Sequence, residues 1–258
     1  MRSNAARAGE VSRTRLRATG SGTPTTLVVP GLGATAAEGR LGSSGLSGTR
    51  VVLSLPGHHD APDPGLGEFT WVGLSAAVLV AANACGATQA VGTSLGAGCL
   101  LAVMAALPHR LRAVVLLLPS ALDVPRPPDA LDAAVAAGDP EQVRTLVAAE
   151  VPNGVEVGDY VLLRTQALLR LRGAIGGLAH EAPVPEPALL LAVTTRVLVI
   201  AAAHDPRHPL TVARAVVAAV PGARLEVIDS AAPVLTHRSL VRRLTAEHLR
   251  SAAGPRPS

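Results

Sequence analysis

The segment AVGTSLGAG, residues Ala90 to Gly98, carries the most informative pattern in the chain. An apolar run ends at Ser94, and a Gly- and Ala-rich helical pattern follows it, which predicts a strand, a sharp turn and a helix. Gly92 and Gly96 flank the serine as G-x-S-x-G. A serine in strained backbone at such a turn tolerates only small neighbours. Ser94 is therefore a candidate nucleophile, with an accessible side chain at the end of a strand.

Apolar runs and helical patterns alternate along most of the chain. Six runs predict strands, at residues 25–31, 49–57, 87–94, 112–120, 195–203 and 223–230. Four patterns predict helices, at residues 70–84, 95–107, 210–220 and 239–249. Near-continuous apolar strands are typical of a parallel sheet that is covered on both faces. We predict an α/β fold, with a doubly wound, mostly parallel sheet and flanking helices.

One segment, residues 122–187, has helical patterns but no convincing strand, and the proline clusters DVPRPP and EAPVPEP bound it. Proline cannot continue a helix, so such clusters mark the exit from the sheet domain and the return to it. We predict a small helical cap here, inserted into a core of residues 25–121 and 188–250. Residues 1–24 are interpreted as an N-terminal segment, either partly disordered or an edge strand. Residues 251–258 are predicted to be a disordered tail.

Composition excludes several classes of function. The 258 residues are enough for one substantial core, and 48% of them are hydrophobic, yet the chain has only one Phe, one Trp and one Tyr. The net charge is +4 without a basic stripe that could bind the phosphates of a nucleic acid, and the few aromatic residues give no surface for stacking its bases. Two cysteines are too few for a disulfide framework. The sequence has no secretory signal pattern and no apolar run long enough to span a membrane. We predict a cytoplasmic protein that binds a small molecule rather than nucleic acid or a membrane.

Metal and nucleotide chemistry are also disfavoured. His204 and His208 are four residues apart, but they lie in a loop with prolines instead of on one helix face. The glycine-rich GLGATAAEG lacks both the G-x-G-x-x-G series and the G-K-[ST] ending of phosphate-binding loops. We therefore expect neither a metal nor a cofactor.

Several segments, in order, resemble the α/β-hydrolase fold family. They are LVVPGLGA, LSLPGHHDAPDP, VGTSLGAG and TRVLVIAAAHDPRHPLTVARAVVAAVPGARLEVI, and the resemblance covers roughly residues 25–122 and 194–249. It implies that Ser94 is the nucleophile, that the amides of Leu32 and Leu95 form the oxyanion hole, and that Asp205 is the acid of a catalytic triad. Pro30 departs from the pattern, because it stands where the family usually has histidine. Asp205 has a second interpretation, as a turn residue that caps the next helix.

The base of the triad is where the chain departs most from the family. The family's histidine position aligns with Ala231, and His237 comes six residues later, at the start of a helix. A remodelled loop would allow His237 to act as the base. Alternatively His208, three residues after the candidate acid, would replace it, or His58 or His59 on the loop after another strand. The third alternative is that no base is present, and a serine hydroxyl without one is a poor nucleophile at neutral pH.

We therefore predict a serine hydrolase acting on a small ester or related acyl compound, with Ser94, Asp205 and His237 as the catalytic residues and His208 as the alternative base. The near absence of aromatic residues in the cap predicts a cavity of Leu, Val and Ala for small aliphatic groups. Acyl transfer would use the same serine. The alternative is a binding protein instead of an enzyme: a catalytically impaired α/β-hydrolase-fold protein that binds a ligand or a partner.

Overall fold

A computed structural model describes residues 13–251, which form a seven-stranded sheet with helices on both faces. The strands are β1 (Arg15–Thr19), β2 (Thr25–Val29), β3 (Thr49–Ser54), β4 (Gln89–Thr93), β5 (Ala113–Leu117), β6 (Arg196–Ala202) and β7 (Arg224–Ile228). The helices are α1 (Ala36–Ser43), α2 (Trp71–Ala84), α3 (Leu95–Ala106), α4 (Ala130–Ala137), α5 (Pro140–Ala149), α6 (Tyr160–Leu171), α7 (Leu210–Ala219), α8 (Pro233–Thr236) and α9 (Arg238–Ser251). Short 3-10 helices lie at Ile175–Leu178 and Pro187–Ala192.

The sheet has the order β1-β3-β2-β4-β5-β6-β7, and every neighbouring pair is parallel except β1 with β3. The predicted α/β fold class is thereby confirmed, and each of the six apolar runs contains one strand. The sequence patterns did not predict α1. The tail prediction falls almost entirely on residues 252–258, which lie outside the described residues, as do residues 1–12 of the N-terminal segment.

Strands β2 to β6 are covered on both faces, which explains why they read as continuous apolar runs, whereas β7 is buried only at Ile228. Helices α2, α3 and α7 pack on one face, where Leu27, Leu74 and Leu100 are fully buried. Helices α1 and α9 pack on the other, where Val115 and Val241 lie in a second buried cluster. Because strands β2 to β7 are parallel, their carboxyl ends meet at one edge of the sheet, which is where open α/β sheets bind their ligands.

Residues 122–187, which lie between β5 and β6 and which we call the cap segment, contain α4, α5 and α6 and no strand. It has a small hydrophobic cluster of its own, with Leu131, Val143 and Leu168 among the buried members. Arg170 ties α6 to the loop after β3, since its guanidinium donates to the backbone carbonyls of His59 and Ala61. None of the helices within residues 13–251 is both long enough and apolar enough to cross a membrane.

Candidate active site

Ser94 lies in the sharp turn between β4 and α3, with a positive φ of 51°. A non-glycine residue rarely adopts this conformation, and such strain is often found at functional sites. The flanking glycines are needed because neighbouring backbone atoms approach them too closely for a side chain to fit. A Cβ on Gly92 would lie 2.5 Å from the carbonyl oxygen of Gly96, and a Cβ on Gly96 would overlap the carbonyl oxygen of Val29. The G-x-S-x-G spacing thus allows the backbone to pack tightly beneath an accessible serine.

His208 and Asp205 complete a chain of hydrogen bonds with Ser94. The Nε2 atom of His208 lies 2.8 Å from Ser94 Oγ, and its Nδ1 atom lies 2.6 Å from Asp205 Oδ2. Because the carboxylate only accepts, Nδ1 carries the proton, and Nε2 is left to accept from the serine hydroxyl. The acid and the imidazole both come from the loop between β6 and α7, four consecutive residues in all.

Asp205 is held in the ionised form by its surroundings. Burial acts to raise the pKa of this carboxyl, but the hydrogen bond and charge of His208 and the backbone N–H groups of Arg207 and His208 outweigh it, so the pKa lies below its usual value. One oxygen, Oδ1, accepts from those two backbone N–H groups, while Oδ2 accepts from the imidazole. Asp205 therefore forms a turn and orients His208 at the same time. It does not cap α7, whose N-cap residue is Pro209.

His237 does not reach the serine. It follows the four-residue helix α8, is exposed, and its Nδ1 atom lies 2.8 Å from Thr236 Oγ1. It lines a separate surface groove, whereas His208 and Ser94 line the same cavity. Helix α9 begins at Arg238, so His237 lies directly before a helix. Between His237 and His208, the geometry favours His208.

His58 and His59, the other candidate bases, also point elsewhere. His58 is 2% exposed; its Nδ1 atom lies 3.0 Å from the Pro56 carbonyl oxygen, and its Nε2 accepts from the backbone N–H of Gly33 at 3.0 Å. Burial lowers the pKa of His58 from its ordinary 6.5 to about 4, and the positive charges of two arginines add to this effect. His59 is exposed. A neutral, buried His58 is thus bound to the loop after β2.

We expect the buried His58 to make stability depend on pH. In the unfolded chain its pKa is about 6.5 and in the folded protein about 4, so the unfolded chain binds an extra proton as the pH falls between these values. This lowers the free energy of unfolding by on the order of 3 kcal/mol once the pH is below the folded value. Urea unfolding of the wild type and of His58→Gln at neutral pH and near pH 4.5 measures the effect. Equal losses in both proteins would contradict it.

Leu32 and Leu95, whose amides are the candidate oxyanion donors, line the same cavity as Ser94. Leu95 is the first residue of α3, where backbone N–H groups have no intrahelical acceptor. Leu32 follows Gly31 in the turn after β2, and a Cβ on Gly31 would lie 3.5 Å from Ser94 Cβ, so this turn lies against the serine. Leu32 and Leu95 therefore both lie beside Ser94.

The cavity above Ser94 has a volume of about 900 Å³ and lies between the sheet edge and the cap segment. Leu, Val and Ala line part of it, as expected from the sequence, but Trp71, Tyr160 and a wall of charged side chains line it too. Ala231 also lines it, so the position that aligns with the family's histidine borders the cavity.

The structure of this chain resembles those of known proteins, although its sequence gives no match. No family model matches the sequence. No similar sequence is found among curated proteins. By structure, an esterase from Exiguobacterium antarcticum matches with a TM-score of 0.77 at 16% identity, over 92% of this chain and 95% of that chain. The enol-lactonase from Burkholderia xenovorans matches with a TM-score of 0.71 at 19% identity, over 92% and 96%.

A meta-cleavage product hydrolase from Pseudomonas fluorescens matches with a TM-score of 0.76 at 18% identity, over 93% of this chain and 94% of that chain. The chain has an α/β-hydrolase fold. These three structural neighbours are an esterase, an enol-lactonase and a meta-cleavage product hydrolase, so the fold by itself does not assign a substrate.

The sequence of this α/β-hydrolase-fold protein did not indicate Arg164 and Arg207 as residues of the site. Both belong to the charged wall of the cavity, which we call the ion cluster and which comprises Arg126, Arg164, Arg207, Glu38, Asp129, Asp132 and Glu150. Arg207, next to His208, binds Glu150 at 2.7 Å and Asp129 at 3.0 Å. These ion pairs join the loop between β6 and α7 to the cap segment. Arg164 of α6 donates to the carbonyl oxygen of Leu32 at 3.0 Å. Scattered arginines gave no sequence signal, because their partners are distant in the chain.

Proposed function

We propose that this protein is a serine hydrolase that acts on a small ester or a related acyl compound, with Ser94 as nucleophile, His208 as general base and Asp205 as the orienting acid. The observation that carries the proposal is the continuous hydrogen-bond chain from Asp205 through His208 to Ser94. A serine, a base and an acid in this order constitute an activated nucleophile, whatever their positions in the sequence.

The proposed acylation step begins when Ser94 Oγ attacks the substrate carbonyl carbon and its proton passes to His208 Nε2. The carbonyl oxygen becomes an oxyanion, which the backbone N–H groups of Leu32 and Leu95 stabilise. The carboxylate of Asp205 stabilises the imidazolium without taking its proton. His208 then gives the proton to the leaving alcohol, and an acyl-serine remains.

The proposed deacylation step uses the same groups in reverse roles. Water takes the place of the alcohol, His208 removes its proton, and the resulting hydroxide attacks the acyl carbon. The second tetrahedral intermediate collapses when the proton returns from His208 to Ser94 Oγ, which releases the carboxylic acid. No group beyond the chain's own residues and water is required for this cycle.

The cavity bears on the kind of substrate. Its volume of about 900 Å³ lies within the range of sites for small molecules. The apolar residues suit an aliphatic acyl or alcohol group, and the side chains of the ion cluster are already paired with one another. A compact, uncharged ester fits this lining.

The alternative, a protein that kept the fold only to bind a ligand or partner, depended on the absence of a histidine near the nucleophile. The 2.8 Å contact between His208 and Ser94 removes that reason and favours the enzyme.

Covalent labelling tests the proposal. We expect a fluorophosphonate probe at neutral pH to add one adduct to the purified protein, read by intact mass, and to add none to Ser94→Ala, because the probe reacts with activated serines. Ser120→Ala is the matched control, since Ser120 lines the same cavity without a histidine partner. Absence of labelling in a wild-type protein that is folded by circular dichroism would refute the proposal.

A further inference from the structure

The loop after β2, which carries the Leu32 amide, is a tight turn of four residues. The N–H of Ala34 donates to the carbonyl oxygen of Gly31 at 3.1 Å, and Gly33 has a φ of 68°. A glycine with positive φ in the third position of a β-turn is typical of type II. Type I and type II turns differ by rotation of the central peptide, here the Leu32–Gly33 peptide. The orientation of that peptide therefore defines the shape of the turn.

Two hydrogen bonds hold the central peptide, one at each end. Its N–H, from Gly33, donates to His58 Nε2 at 3.0 Å. Its carbonyl oxygen, from Leu32, accepts from Arg164 Nη1 at 3.0 Å. Rotation of the peptide would break both bonds inside a buried site, where an unpaired polar group is costly. The partners come from distant segments, since His58 follows β3 and Arg164 lies on α6.

The His58 ring is itself fixed in the state that can accept. The Pro56 carbonyl oxygen can only accept, so the proton is on Nδ1, and Nε2 has a free lone pair for Gly33. The ring is stacked on Phe69, with the ring centroids 6.0 Å apart and the planes 13° apart. His58 is thus a buried imidazole whose two nitrogens and one face are all engaged.

We propose that His58 is a positioning residue for the reaction, because its Nε2 atom accepts from Gly33 and so holds the turn that presents the Leu32 N–H to the developing oxyanion. The inference rests on the proposed function. The oxyanion forms only as the reaction proceeds, so a displaced donor reduces kcat more than it weakens substrate binding.

Two conservative variants separate the acceptor from the rest of the side chain. In His58→Gln, the amide oxygen lies where Nε2 was and can still accept from Gly33. In His58→Asn, the shorter amide can still donate to Pro56 but cannot reach Gly33. We expect His58→Asn to have a kcat about 10-fold to 100-fold below that of His58→Gln on a p-nitrophenyl ester, with a similar KM. We also expect it to bind a boronic acid that forms a tetrahedral serine adduct correspondingly more weakly.

His59→Asn is the matched control. His59 is the exposed neighbour on the same loop, with a φ of 49°, a conformation that asparagine tolerates well. We expect its kcat and its boronic acid affinity to equal those of the wild type. Equal kcat values for folded His58→Asn and His58→Gln would overturn the inference, since the acceptor would then not matter.

A measurement on the unsubstituted protein covers the case in which a variant fails to fold. Nitrogen-15 NMR of the imidazole reports which ring nitrogen is protonated. We expect His58 to be protonated on Nδ1 at neutral pH, and a proton on Nε2 would overturn the inference. Failure of the proposed function is distinguishable, because the wild type itself would then not be labelled at Ser94.

Discussion

Replacing His208 with alanine is expected to lower kcat by on the order of 10⁶-fold, with little change in KM. The variant keeps Ser94 in its turn, but the hydroxyl loses the only described imidazole within hydrogen-bonding distance. Without a general base the hydroxyl is a weak nucleophile, and only the oxyanion donors and substrate binding remain to accelerate the reaction. Steady-state hydrolysis of a p-nitrophenyl ester at neutral pH measures the loss, and the rate of fluorophosphonate labelling checks it independently.

His237→Ala is the matched control for that experiment, because the sequence named His237 as the base and His208 as its alternative. It is exposed and its ring is bound to Thr236, so we expect the variant to keep the wild-type kcat. The opposite pattern, in which His237→Ala is inactive and His208→Ala is active, would show that the loop after β7 rearranges to supply the base.

Replacing Asp205 with asparagine is expected to lower kcat by about 10⁴-fold at neutral pH. The Oδ1 atom is held by the backbone N–H groups of Arg207 and His208, so the new amide oxygen occupies that position. The amide NH₂ then faces His208 Nδ1 and can only donate to it. The imidazole must move its proton to Nε2, where it can no longer accept from Ser94. Steady-state kinetics measures the loss, and nitrogen-15 NMR of His208 detects the change of tautomer.

Asp229→Asn provides the matched control for the acid. Asp229 lies 2.7 Å from His204 Nε2, so it forms a similar aspartate–histidine pair, but both side chains are largely exposed. We expect this variant to keep wild-type activity. An Asp205→Asn enzyme of comparable activity would mean that Asp205 only forms the turn, which is the second interpretation of this residue.

Much of the fold could be predicted from local patterns. Each of the six apolar runs contains a parallel strand, and the helices α2, α3, α7 and α9 begin and end within two residues of the predicted bounds. Strands β2 to β6 are largely buried, as their apolar runs predicted, but β7 at the edge of the sheet is buried only at Ile228. Helix α1 was missed because it is short and has no strong apolar face. Strand β1 was one of two alternatives for the N-terminal segment, and its five residues are all exposed, which removes the burial pattern that predicts a strand.

The sequence by itself determined the turn that carries Ser94. Gly92, Ser94 and Gly96 are close in the chain, and their steric requirement is local, so the spacing alone indicates the geometry. Asp205 and His208 also form a local unit, three residues apart on one loop.

Only the tertiary structure decided which histidine faces Ser94. The contact between His208 and the serine spans 114 positions, and it depends on β4 and β6 ending at the same edge of the sheet, with β5 between them. The same reason applies to His58 and Arg164, which meet the Leu32–Gly33 peptide from 25 and 132 positions away. Local sequence specifies the strands and turns, but the packing of the sheet and the cap segment determines which polar atoms meet.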